Sequence, residues 1–219
     1  MTVQERGIWL HDARHRDDLA IFVDRALRLD EAAVIRLRER SQDHIVAWVA
    51  TGFDVLASRV VAGRTRPADL SAGADALAHG LSAAGADGFV DTGFPMDSAW
   101  RGGLPPDSGF VHLDDVPARA VLELAARGAE LAKEHSGAHG PPASLLDQEV
   151  VAVSSADDSV GIPMRCVFAL TAMGFLPPSG EAVAADEIVR VRALPTWLRI
   201  DARYGSVYRR RGDPALVLR

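Results

Sequence analysis

LLDQEVVAVSSADDSVGIPMRCVFALTAMGFL, Leu145–Leu176, is the longest nearly apolar stretch of the chain and contains its single Cys. Its first arm, Glu149–Ser155, is short and β-branched, the composition of a strand. Ala156-Asp157-Asp158-Ser159 reads as an acidic turn, and a short strand follows it. Pro163 then opens MRCVFALTAMGFL, where a proline in the first helical turn leaves no N–H unsatisfied. Gly174, followed by Pro177-Pro178, closes that helix. The stretch is therefore strand, turn, short strand and buried helix, a core element rather than an active site.

After a loop at Ser179–Asp186, Val189 and Val191 alternate with Arg190 and Arg192. Leu198, Ile200 and Ala202 alternate with Trp197, Arg199, Asp201 and Arg203, and Tyr204-Gly205-Ser206 turns into Val207–Arg211. These alternations predict strands with one apolar and one polar face. Upstream, a helix is expected over Asp114–Glu134, with Asp114 or Asp115 as N-cap and Pro117 in the first turn. Val121, Leu124, Ala125, Gly128 and Leu131 give it a packed face. Gly85–Asp107 has no sustained period but holds Phe89, Phe94, Met96 and Trp100. That much apolar bulk suits an ordered loop better than a flexible tether.

At the start, Leu19, Phe22, Val23, Ala26 and Leu27 make one apolar stripe in a helix over His11–Leu29, with Asp17 and Asp18 near its N-terminus. Three strands follow: Val34–Arg40, His44–Thr51 with both faces apolar, and Phe53–Ala62. Asp69–Ala84 reads as a small-residue helix anchored by Leu70, Leu77 and Leu81. The fold expected is α+β with two mixed lobes, each of helices packed on a small, mainly antiparallel sheet. The lobes are 1–88 and 107–219, joined by the ordered loop 89–106. Each half runs from a helix to a strand hairpin, but residue identity between them is too low for a repeat.

Composition bounds the function. The 219 residues are 48% hydrophobic and 25% charged, as in ordinary globular domains. No apolar run approaches the roughly 20 residues of a spanning helix. MTVQERGIWLHDARH lacks the basic start and apolar run of a signal peptide. One Cys leaves no internal disulfide and no multi-Cys zinc site. A cytoplasmic protein without a membrane partner or cofactor is expected. Lys133 is the only Lys among 24 basic residues, the bias of a GC-rich genome. Net charge is −6, yet 187–219 holds eight Arg against three acids.

Few motifs carry chemistry. His11 and His15 have the i, i+4 spacing of metal ligands on one helix face, but the H-E-x-x-H form is absent. His135 and His139 share the spacing, with Gly137 interrupting. Cys166 in an apolar helix is expected to be buried and structural. G-x-S-x-G, G-x-G-x-x-G and P-loop patterns are missing. Arg190, Arg192, Arg199, Arg203, Arg209, Arg210 and Arg211 are the best charged candidate. On strands after a helix they resemble the wing of a winged-helix domain meeting phosphates, with Trp197, Tyr204 and Tyr208 stacking on bases. The preceding helix, Met164–Leu176, is too apolar to read a groove, and Asp201 and Asp213 interrupt the charge.

TGFDVLASRVV, WRGGLPPDSGF with LDDVPAR, LLDQEVVAV and RYGSVYRRR resemble a family of actinobacterial conserved proteins with no assigned activity. The resemblance covers most of the chain, brings no catalytic residues, and implies a cytosolic protein in two parts. The leading expectation is a non-catalytic binding or assembly module, a homodimer or a partner of another protein, with Phe89, Phe94 and Trp100 as interaction surface. The alternatives are a nucleic-acid binder using the Arg-bearing strands and a metal-dependent enzyme around His11 and His15.

Overall fold

The computed structural model describes residues 6–41, 43–135, 141–155, 159–177 and 183–212. The chain is mixed α+β with antiparallel strand pairing. It divides into two compact units, Met1–Gly52 with Leu56–Gly103, and Phe53–Val55 with Leu104–Arg219. Among the described residues, no helix is long and apolar enough to cross a membrane.

The first unit opens with a strand absent from the sequence reading, β1 (Gly7–Leu10). Helix α1 (Ala13–Leu29) follows, burying Leu19, Phe22, Val23 and Ala26 as the stripe predicts. Its N-cap is Asp12, whose carboxylate accepts the His15 N–H at 3.0 Å. Asp17 and Asp18 therefore do not serve the helix start; Asp18 instead pairs with Arg59 at 2.6 Å. Strands β2 (Val34–Ser41), β3 (His44–Thr51) and β4 (Val55–Arg66) come next. β3 is covered on both faces, as its apolar run requires.

The helix expected over Asp69–Ala84 is shorter. Asp69–Gly73 forms strand β5, and α2 covers only Ala74–Ala83. Leu70 and Ala72 lie opposite Leu37 and Ile35 of β2, all four buried. Pairing with β2 overrides the helical preference of these small residues. The sheet order is β5-β2-β3-β4, with β1 on β4 and the two-residue β6 (Phe89–Val90) on β1. α1 and α2 pack on each other.

The outer side of β5 is sealed by the segment expected to be an ordered loop. Asp97, in a 3-10 turn at Asp97–Ala99, accepts the Ser71 N–H at 2.6 Å. The Ser71 carbonyl accepts from the Met96 N–H at 2.9 Å and from Arg6 at 3.0 Å. A free sheet edge is thus closed by side chains and loop backbone. Residues 89–103 fall within the first unit.

In the second unit, β7 (Val111–Pro117) precedes α3 (Ala118–His135). The helix expected from Asp114 thus starts four residues later, and neither Asp114 nor Asp115 caps it. Proline forces its predecessor into extended backbone, so Val116-Pro117 belongs to the strand. A short α4 (Ala143–Leu146) leads to the hairpin β8 (Glu149–Ser154) and β9 (Ser159–Pro163), as read from the opening stretch. The turn residues 156–158 lie outside the described residues, as do 178–182 of the following loop, His139 and Asp213.

α5 (Met164–Ala172) follows Pro163, which is its N-cap rather than a first-turn residue. Met164–Leu170 are buried. Gly174, at φ +66°, ends it as expected, and the Phe175 N–H bonds the Leu170 carbonyl at 2.9 Å. β10 (Ile188–Leu194), β11 (Trp197–Ala202) and β12 (Gly205–Arg210) complete an antiparallel sheet in the order β7-β10-β11-β12. α3 and α5 pack closely: a Cβ on Gly128 would lie 2.8 Å from the Met164 side chain.

Candidate functional site

Strands β10–β12 bring the C-terminal arginines together on a sheet, not on a wing, and surround them with acceptors. Arg190 Nε and Nη2 donate to the two oxygens of Asp115 at 3.0 and 3.2 Å. His112 Nε2 lies 3.0 Å from the same carboxylate. The Arg190 bond, then the His112 bond, hold the Asp115 carboxyl down at about 2. Asp201 accepts from Arg199 Nε at 2.7 Å, from Ser206 Oγ at 2.5 Å and from Arg192. The Arg199 guanidinium also lies over Phe110 and Tyr208, 5.6 and 5.4 Å from the ring centres.

Arg203 reaches Glu187 at 3.3 Å, and Arg209 reaches Asp147 at 3.5 Å. Arg210 stacks on Trp197 at 4.8 Å, and Arg211 donates to the Leu194 carbonyl at 3.1 Å. Every one of the seven guanidiniums therefore has a partner inside the protein. Trp197 is buried, although its alternation placed it with Arg199 on the polar face. Tyr208 is buried as well; of the three rings expected to stack on bases, Tyr204 is the exposed one.

The aromatic loop residues separate. Phe89 is half-buried against Trp9, ring centres 5.2 Å apart. Trp100 is half-buried with the Arg36 guanidinium 5.9 Å from its centroid. Phe94 alone of the three stands out, 89% exposed.

The two metal candidates do not share a helix face, because His11 precedes the Asp12 N-cap. Among the described residues no group of three or more His, Cys, Asp or Glu could hold a metal ion. Cys166 is buried, and burial pushes its thiol up to about 12. It is inert as a nucleophile at neutral pH.

The sequence reading missed a second arginine face, on the first unit. Arg36 and Arg38 lie opposite Trp48 and Val46, while the intervening Leu37 faces Ala47 in the core. A Cβ on Gly63 would meet Ile45 and Leu10, so the odd residues of β4 point inward and Arg64 and Arg66 outward. Arg64 lies opposite Trp9 and stacks on it, 5.6 Å from the ring centre. Arg36 forms a bidentate pair with Asp69 at 2.8 and 2.7 Å. Among the described residues, Arg64 and Arg66 make no ion pair. The signal was present in GRTR, but the strand was expected to end at Ala62, four residues before β4 does.

Residues 105–214, half of the chain, match the family described as Domain of unknown function (DUF8185). The chain belongs to the DUF8185 family. Residues 3–102 of this DUF8185 member match a second description, Domain of unknown function (DUF8010). No curated protein matches the sequence.

Solved structures share its fold. The beta subunit of DNA polymerase from Streptococcus pyogenes matches 97% of the chain at 11% identity, with a TM-score of 0.56. The sliding clamp (DNA polymerase III subunit beta) of Bartonella birtlesii, bound to griselimycin, matches 95% at 13% identity and 0.54. The DNA polymerase sliding clamp of Caulobacter crescentus matches 93% at 13% identity and 0.53. The DUF8185 member spans 67%, 65% and 67% of those three chains, so about a third of each has no counterpart here.

Proposed function

We propose that this DUF8185 member is a non-catalytic binding and assembly module that works in the cytoplasm as a homodimer. The observation that carries this reading is the sliding-clamp fold, matched over 93–97% of the chain by proteins described as clamps and polymerase subunits.

Phe94 supports the assembly half of the proposal. It is 89% exposed in a segment held by the Asp97–Ser71 and Met96–Ser71 hydrogen bonds, with exposed Met96 two residues on. An exposed aromatic on an ordered support suits an interface anchor. Sedimentation equilibrium at tens of micromolar is expected to show a dimer, and Phe94→Ser is expected to weaken it at least about tenfold. A monomer at that concentration in the wild type would sink the dimer.

The neighbours' description as DNA polymerase clamps favours one second reading, nucleic-acid binding. The residues nominated are Arg190, Arg192, Arg199, Arg203, Arg209, Arg210 and Arg211. Arg210 can meet a phosphate while stacked on Trp197, but the other six must share or give up an internal hydrogen-bond acceptor, which lowers the affinity expected. Fluorescence anisotropy with generic DNA and RNA tests this reading. Salt-sensitive binding, lost uniformly in Arg209→Ala, Arg210→Ala and Arg211→Ala, supports it; no binding at low salt removes it.

A further inference from the structure

The outward face of β1, β2 and β4 concentrates cations on a chain whose net charge is −6. Arg36 and Arg38 project from β2, and Arg64 and Arg66 from β4. Between them β3 contributes Val46 and Trp48, each close to fully buried. Asp69 engages Arg36 on this face, whereas Arg64 and Arg66 are exposed and have no ion pair among the described residues.

The Arg64 guanidinium is also aimed. It rests on Trp9, which is backed in turn by Phe89. Stacking restricts the side chain and leaves its N–H edge for a planar oxyanion. Arg66 is two residues further along the same strand, about 7 Å away by strand geometry. Carboxylates on alternate residues of an extended peptide have the same repeat.

We propose that this face docks a carboxylate-rich peptide segment of a partner protein, a proposal that rests on the binding-module reading. A peptide fits better than a nucleic acid for two reasons. Nucleic-acid binders of this kind use exposed rings as base platforms, but Trp9 is held between Arg64 and Phe89 and Trp48 is buried. A long polyanion also meets the repulsion of the whole acidic molecule, whereas a short acidic segment meets the local guanidiniums alone.

The test is fluorescence anisotropy at low salt with the full chain. Two probes are used: a labelled peptide with Glu at alternate positions and a labelled thymidine oligonucleotide. Peptide binding is expected, with a loss of about tenfold or more in the double variant Arg64→Ala/Arg66→Ala. Arg64→Lys/Arg66→Lys is expected to be intermediate, keeping charge but losing the planar fork. Arg127→Ala, at an exposed position of α3 on the second unit, is expected to match wild type.

Circular dichroism establishes that each variant is folded. No peptide binding, or equal binding by wild type and the double Ala variant, overturns the proposal. Tighter binding of the oligonucleotide, lost in the same variant, overturns the class of partner. Sedimentation separates the two levels: a dimer that ignores the peptide retains the assembly reading and rejects this face. A protein that neither dimerises nor binds either probe rejects both.

Discussion

Arg165 is the charged residue that the apolar reading of α5 conceals. It is 8% exposed, donates to Asp147 through Nε at 3.1 Å and through Nη2, and donates to the Phe53 carbonyl through Nη1 at 2.7 Å. Asp147 also receives Arg209. In Asp147→Ala the guanidinium stays buried with its best anion gone, Asp54 being 3.8 Å away and 89% exposed. A destabilisation of about 2 kcal/mol is expected, since Asp147 is itself half in water, and urea unfolding measures it. Asp115 makes a prediction about pH. Its carboxyl is depressed to about 2 by Arg190 and His112. A depressed acid stabilises the fold above its ordinary pKa and loses that effect as pH falls through the folded value, here from about pH 4 to about pH 2. Carboxyl NMR titration of Arg190→Ala is expected to show Asp115 titrating higher, toward the ordinary carboxylate range.

At the scale of elements, the closest approach is α2 on the segment after β6. A Cβ on Gly80 would lie 1.9 Å from the Asp91 carbonyl oxygen, a backbone atom that cannot swing aside. Gly80→Ala, which would favour an isolated helix, is therefore expected to destabilise by roughly 1–3 kcal/mol in a thermal melt. An unchanged or raised Tm would mean that α2 slides on this segment. The ends of α3 and α5 follow a common rule: each is preceded by a strand ending in proline, Pro117 and Pro163. In both places the residue before proline is held extended, and the helix begins immediately after it.

For the whole molecule, charge distribution matters more than net charge. The C-terminal stretch is rich in Arg, but Asp115, Asp147, Glu187 and Asp201 return to those arginines from other strands and loops. Among the described residues, Arg64 and Arg66 are exposed guanidiniums of the first unit with no ion pair. The two proposed activities should consequently respond differently to salt. Dimerisation through Phe94 is apolar and is expected to persist as salt rises, whereas peptide docking on the Arg face is expected to weaken. Sedimentation and anisotropy over one salt series check both. A dimer that dissolves with salt would assign assembly to charge and away from Phe94.

Local sequence was sufficient for α1, for β2 and β3, for the β8–β9 hairpin with its buried helix, and for β10–β12. Alternation, a helical stripe, an apolar or β-branched run, or a proline and a glycine at the two ends is in each case written among neighbouring positions. β1 and β5 escaped because four or five residues hold too few periods, and their partners decided them: Gly63–Arg66 for β1, Val34–Arg38 for β5. The candidate sites were less legible still. The seven C-terminal arginines are named by the sequence as a charged group, but Arg190 meets an acid 75 residues away and Arg209 one 62 residues away. An ion pair needs two charges within a few ångströms, and chain order does not encode that distance. The sequence alone determined which residues alternate and which are charged; the tertiary structure decided which charges meet a partner, because folding and not chain order sets the distance between them.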